Sequence, residues 1–275
     1  MLRFCFVFGL ALSASALLGQ TANPPRQASA SMQDLEPNAE QLFALANQTR
    51  AKQGLSRLAW DQALAAAALH HCKRMAVEGP IEHRYSGELD LTERAGQAGA
   101  HFSLIEENIA VGPYPARIHE GWMESSGHRE NLLNPNIDRV GIAVVAANGV
   151  LFAVADYARG VSALSQAQVE ALFASMLRAK GLSILKDPTQ VRAYCASTGR
   201  FSGADSPSFL MRWQNPDVSQ LPPELQQRIA SQHFREASVG SCPVQGVESG
   251  FTLYRVAVFL YDDDSPARPK PYYKP

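Results

Sequence analysis

The feature that most constrains this chain is the dipeptide Asn148-Gly149, set between two apolar, β-branched-rich segments, Val140 to Ala146 and Val150 to Tyr157. A tight two-residue hairpin turn of the favoured kind needs positive φ at both central residues, which Asn-Gly tolerates best. The two segments therefore read as paired antiparallel strands.

Helical periodicity precedes them. Leu42, Leu45, Ala46 and Thr49 recur at helical spacing, predicting a first helix over about Ala39 to Gln53 that stops at Gly54. Asp61 is a good N-cap for a second helix, whose stripe of Leu64, Ala67, Ala68, His71, Cys72 and Met75 is the buried side. On that stripe Cys72 reads as a packed thiol and His71 as a satisfied core or rim histidine. The pair His70-His71 is no ligand pair, because neighbouring helical residues point about 100° apart. A third helix is predicted from Pro115 to Ser125, with Ile118 and Trp122 on its apolar side.

Residues 1–19 carry one positive charge, Arg3, then an apolar run from Phe4 to Leu12 and small residues beyond it, the profile of an export signal. The run is short of the ~20 residues that cross a bilayer, so removal is expected and a retained anchor is the alternative. The expectation is a secreted or periplasmic protein with no integral span after processing. Residues 20–38, rich in Pro, Ala, Ser, Gln and Asn, read as a flexible leader. A formal net charge of −1, with acidic and basic residues intermixed, gives no case for a nucleic-acid partner. Of four cysteines, Cys5 falls in the signal, leaving Cys72, Cys195 and Cys242. Cys195 and Cys242 both sit beside turn-forming residues and are expected to pair, closing a loop that stabilises by roughly 4 kcal/mol in the chain-entropy view.

Beyond Gly160 the texture changes. Residues 161–262 predict a helix from Gln166 to Lys180, a loop-rich stretch around Cys195, a short helix over Pro223 to Ser231 and an alternating strand from Phe251 to Tyr261. Residues 263–275 are a Pro-rich tail. One internal echo stands out: Leu42-Phe43-Ala44, Arg50-Ala51-Lys52 and Gly54-Leu55-Ser56 against Leu172-Phe173-Ala174 and Arg178 to Ser183. The spacings differ, which favours an unrelated amphipathic helix over a repeat.

Residues able to carry chemistry cluster in three segments: Glu82-His83-Arg84-Tyr85, Glu106-Glu107-Asn108-Ile109-Ala110 and Trp122 to His128. Together with Asn47-Gln48-Thr49-Arg50, Leu58-Ala59-Trp60-Asp61, Glu93-Arg94-Ala95-Gly96, Asn131-Leu132-Leu133 and Gly141-Ile142-Ala143, their order over roughly 120 residues resembles the CAP superfamily (cysteine-rich secretory, antigen 5 and pathogenesis-related-like proteins, the SCP domain), in its short bacterial branch. The resemblance implies an α+β fold, a three-layer α-β-α sandwich over 39–160, to which residues 161–262 add a small α+β extension of unknown role. It also implies a groove where two histidines and two acidic residues meet and, in many members, hold a divalent cation. His83, Glu107 and His128 match directly; the second acid falls on Ser125, leaving Glu124 as nearest candidate.

Two neutral imidazoles and one or two carboxylates suit Zn²⁺, with room for water. Glu120, Glu124 and His128 are spaced four apart and share a face if the helix continues past Gly127, whereas Glu120 and Glu124 also suit a solvated face opposite Trp122. For Glu107 the competing role is a loop-bracing carboxylate. Ser125 and Ser126 lack a Gly-x-Ser-x-Gly elbow and read as helix-ending residues. The leading functional expectation is a secreted binding module for a hydrophobic, peptide or cell-envelope ligand. The alternative is a metal-assisted hydrolase of peptide, peptidoglycan or ester, with Glu124 or Glu107 as the base.

Overall fold

A computed structural model of the chain describes residues 36–203, 207–231, 233–244 and 250–262. The expected signal, all but the end of the leader, and the Pro-rich tail lie outside these residues.

The chain enters α1 (Pro37–Lys52), two residues before the expected start, because the Glu36 carboxylate accepts the Ala39 amide at 2.9 Å and Pro37 suits the first turn. A two-residue strand, β1 (Ala59–Trp60), leads to α2 (Gln62–Glu78), capped by Asp61, which accepts from Ala63 N at 2.9 Å and Leu64 N at 3.0 Å. Then follow α3 (Leu91–Gln97), β2 (Phe102–Gly112), α4 (Pro115–Glu124), α5 (Ser126–Leu133), β3 (Arg139–Ala147) and β4 (Val150–Gly160). The β3-β4 hairpin forms through Asn148 and Gly149, both with positive φ (52° and 78°). Four elements here are not legible as periodicity: β1, α3, β2 and α5.

The strand order is β1-β3-β4-β2, with β1 parallel to β3 and the other pairs antiparallel. One face packs Val140, Ile142, Ala153, Ala155 and Tyr157 under Leu42 and Ala46 of α1, Ile118 and Trp122 of α4 and Leu132 of α5. The other packs Ile109, Ala143, Phe152 and Val154 under Ala68, Cys72 and Met75 of α2. This is the three-layer α-β-α sandwich. Because both faces are covered, β4 is buried without interruption from Phe152 to Ala158, and its sequence is a near-continuous apolar run. Asp156 is the exception. Arg50, also buried, donates to Ser56 O, Leu132 O and Asn134 O, each at 2.9 Å, and so ties α1 to the end of α5.

The second half contains α6 (Gln166–Ala179), β5 (Ser183–Ile184), α7 (Thr189–Ala196), β6 (Phe209–Asn215), α8 (Pro223–Ser231), β7 (Glu236–Cys242) and β8 (Tyr254–Tyr261). Its sheet runs β5-β7-β8-β6 and has its own core of Val169, Phe173, Leu177, Val256, Val258 and Leu260. Cys195 and Cys242 are disulfide-bonded, joining α7 to the end of β7. Cys195 lies on a helix where a loop was expected. The last strand starts at Tyr254 and not Phe251, since the Thr252 amide donates instead to Phe102 O at 2.8 Å. Among the described residues no helix is long and apolar enough to cross a membrane.

Candidate functional site: a histidine pocket on a buried acid pair

After α2 the chain turns at Gly79 (φ 112°) into a loop that α2 itself fastens. His71, fully buried, sets its Nδ1 2.8 Å from Glu88 Oε1 and its Nε2 2.9 Å from Glu82 O. Burial pushes the Glu88 carboxyl up, but the Tyr85 amide and His71 more than offset it and hold Glu88 below its ordinary range. The loop so anchored carries His83.

His83 Nδ1 lies 2.8 Å from Glu107 Oε1, while the other Glu107 oxygen accepts from Arg94 on α3. Arg94 Nη1 also donates to His83 O and Leu89 O, both at 3.4 Å, so one guanidinium holds the carboxylate and the loop that faces it. The Glu107 and Arg94 side chains are each 3% exposed, against 59% for His83. The ring is thus presented outward from a buried mount. Behind it, β2 and β4 pair Glu107 directly opposite Asp156, which in turn faces Gly141 on β3. Asp156 is fully buried and neither carboxylate oxygen has a hydrogen-bond donor among the described residues. Burial, then the adjacent Glu107 charge, pushes the Asp156 carboxyl well above the usual carboxylate range, with Arg94 acting the other way.

His128 comes from α5. Asn108 Nδ2 donates to His128 O at 2.9 Å, and Asn131 Nδ2 donates to Glu107 O and Asn108 Oδ1 at 3.1 and 3.0 Å, locking α5 to β2. The hydrogen bond that His83 donates to the Glu107 carboxylate raises its imidazole pKa against the opposing pull of burial. Burial, and then His83, lowers that of His128. His83 therefore takes up its proton before His128 does.

His83, Glu107 and His128 line one cavity of about 570 Å³, whose remaining wall includes Arg84, Asp90, Leu91, Ser125 and Asn131. Glu124 does not join them. The chain leaves helical geometry at Ser125 (ψ 126°), so Glu124 ends α4 while His128 belongs to α5, and the four-residue spacing brings no shared face. Glu124 instead pairs with Arg117 at 3.4 Å and is 67% exposed, the solvated-face alternative. Among the described residues no group of three His, Cys, Asp or Glu is placed to hold a metal ion. With both Glu107 oxygens already engaged, the residues do not fit a cation centre of three or four protein ligands; two imidazoles remain.

Sequence reasoning missed two participants. Arg94 lay inside a matching motif, and Asp156 is a lone acid in the apolar run of β4, a signal that the amino-acid sequence itself carries.

A sheet covered on both faces by helices, with a histidine pocket beside the middle of its second strand, defines an α-β-α sandwich protein whose site is built from loop, strand and short helix together. Residues 43–157 match the CAP family, described as the cysteine-rich secretory protein family, and this part of the chain belongs to the CAP superfamily. Among curated proteins, similarity extends to two from Bacillus subtilis. One is YlbC, named an uncharacterized membrane protein, at 35% identity over 107 residues, 38% of this chain and 31% of that one. The other is the uncharacterized protein YkwD, at 30% identity over 115 residues, 40% and 44% of the two chains. The chain thus spans under half the length of each. Among solved structures, an extracellular SCP-domain protein from Bacillus anthracis matches at 32% identity over 44% of this chain and 40% of that one, with a TM-score of 0.42.

Proposed function

We propose that the CAP domain of this chain is a binding module of a secreted or periplasmic protein, and that its ligand is a peptide or cell-envelope segment held in the pocket by His83 and His128. The single observation that carries this reading is the convergence of side chains from the 79–90 loop, β2 and α5 on one cavity of about 570 Å³. Its wall sets imidazole, carboxylate and amide groups among a larger share of apolar carbon, which suits an occupant with both polar and apolar parts, such as a peptide. A divalent cation, Zn²⁺ first, is proposed only as a guest of His83, through the Nε2 that Glu107 leaves free, and of His128, with the remaining positions open to water or ligand.

Binding is preferred to hydrolysis because, among the described residues, the pocket has no carboxylate free to act as a base. Glu107 is committed to His83 and Arg94, Glu124 lies outside, and Asp90 accepts from Glu93 N and Thr92 Oγ1 as the cap of α3.

The test is calorimetric titration of the mature protein with Zn²⁺, wild type against His83→Ala with His128→Ala. Equal heats would discard the cation. Amide shifts on adding peptidoglycan stem peptides, mapped by NMR, test the ligand: shifts that spare His83, His128 and Asn131 would discard the pocket.

A further inference from the structure

We propose that residues 165–262 are a second copy of the fold of residues 37–160, stripped of its pocket, which now braces α3 and thereby positions Arg94 behind the Glu107 and His83 pair. The relation holds whether or not a cation or peptide binds.

The two halves repeat one another element by element. Each sheet has a two-residue edge strand parallel to its neighbour, then two antiparallel pairs, in the orders β1-β3-β4-β2 and β5-β7-β8-β6. The exit from the first helix repeats hydrogen bond by hydrogen bond. Gln53 N and Leu55 N donate to Arg50 O, and Gly54 N to Ala51 O; Lys180 N and Leu182 N donate to Leu177 O, and Gly181 N to Arg178 O. Gly54 and Gly181 both take positive φ, 71° and 88°. This match displaces every residue by 127 positions and pairs Leu42 with Val169, Ala46 with Phe173 and Arg50 with Leu177, all buried. The sequence echo Leu42-Phe43-Ala44 against Leu172-Phe173-Ala174 was three residues out of this register, which is why its spacings disagreed.

The sheet gives an independent fix. A Cβ on Gly141 would lie 2.0 Å from Ala65 N, and one on Gly240 would lie 2.7 Å from Arg192 N. Ala65 and Arg192 are each the fourth residue of their helices, so the close helix-on-sheet approach recurs at one place in both halves. Reading across from those glycines, Gly141-Asp156-Glu107 corresponds to Gly240-Ala257-Arg212. The acid pair has become Ala257 and an arginine. Arg212 donates to Tyr194 O at 2.8 Å and to Ser197 Oγ at 3.1 Å, so the half satisfies it internally. The other site residues sit on segments with no counterpart among the described residues of the second half. Residues 79–101, with His83 and Arg94, give way to 197–208, and residues 125–138, with His128 and Asn131, to 232–235.

What this half contacts in the first is the root of the site. Phe251 packs edge-on to Phe102 at 5.3 Å. Gly250 enters against α3 so closely that a Cβ on Gly96 would lie 2.5 Å from its Cα, and a Cβ on Gly250 would lie 2.1 Å from Thr92 O. Thr92 and Gly96 flank Arg94. Two glycines in backbone contact therefore seat the helix that supplies the guanidinium.

Two measurements on the full chain test the two parts. Cross-strand NOEs should place Ala257 between Arg212 and Gly240; any other pairing ends the claim of a second copy. Gly96→Ala should raise amide exchange at Arg94 and Ala95 about tenfold or more, leaving β3 and β4 unchanged, whereas Gly121→Ala, where the added methyl meets nothing within 4 Å, should not. Unchanged exchange at Arg94, or an equal rise across β3 and β4, would overturn the brace.

Discussion

Replacing Asp156 by asparagine should make the protein progressively more stable than wild type as pH rises, and the size of the effect follows from where the carboxyl sits. Asp156 is fully buried, faces Glu107 across the strand pair and has no donor among the described residues. Its folded pKa is raised well above the ordinary value, so the native state keeps a proton that the unfolded chain releases above about pH 4. Native protein then binds more protons than unfolded protein, and stability falls with rising pH by up to about 1.4 kcal/mol per pH unit until the folded pKa is reached. Asparagine has nearly the same shape and does not titrate. Urea unfolding of both proteins at pH 5 and pH 7 should therefore show the difference between Asp156→Asn and wild type shifting in favour of asparagine, by at most about 1.4 kcal/mol for each pH unit over which the folded carboxyl stays protonated. Any fixed cost of the amide cancels in that comparison. A difference that stays flat between the two pH values would refute the assignment of a retained proton.

Arg94→Met should cost about 3 to 5 kcal/mol in urea unfolding at neutral pH, because it leaves the Glu107 carboxylate buried beside Asp156 without its cation; a loss below about 1 kcal/mol would mean that the ion pair is not formed as described. In an NMR titration His83 should protonate above its ordinary pKa and His128 below it, and Glu107→Gln should bring the His83 midpoint down. By the same linkage, the His83 contribution to stability is complete below about pH 6.5 and fades as pH rises through the folded midpoint; coincident midpoints for the two rings would contradict the geometry. Removing the disulfide as Cys195→Ala with Cys242→Ala, partners 47 residues apart, should cost about 4 kcal/mol, read as a lowered unfolding midpoint for the second half.

What the sequence disclosed depended on whether the deciding interaction was local. Caps and turns are local: Asp61 at the head of α2, Gly54 at the end of α1 and Asn148-Gly149 between β3 and β4 each act within four residues, and each was legible. The Glu124 expectation failed on a local event of the opposite kind, a break at Ser125 that a four-residue spacing cannot register. Long-range pairing was invisible. Nothing in Ile105 to Ala110 reads as a strand by alternation, because β2 sets Glu107 among buried residues and presents Ile105 and Ile109 on the same side. His71 was read as a satisfied core residue, as the structure has it. Its partners Glu88 and Glu82 lie 17 and 11 residues further on, so the fastening of the His83 loop through them left no mark on the helical stripe.

The division of labour within the first half follows from which residues belong to the shared frame and which to segments peculiar to it. Glu107 and Asp156 lie on strands of the paired sheet, so a change there alters the charge of the core and is felt as stability. His83 and His128 lie on a loop and a short helix with no counterpart among the described residues of the second half, and the His83 ring is more than half exposed. Above the His83 midpoint, substituting the imidazoles should therefore leave unfolding nearly unchanged while removing whatever the pocket holds. Arg94 belongs to both sets: it sits on a dispensable helix yet neutralises a frame carboxylate. A chain of this kind can lose its pocket and keep its fold only by dealing with that carboxylate, and the arginine at position 212, turned onto backbone carbonyls where Glu107 would stand, shows one way of doing so.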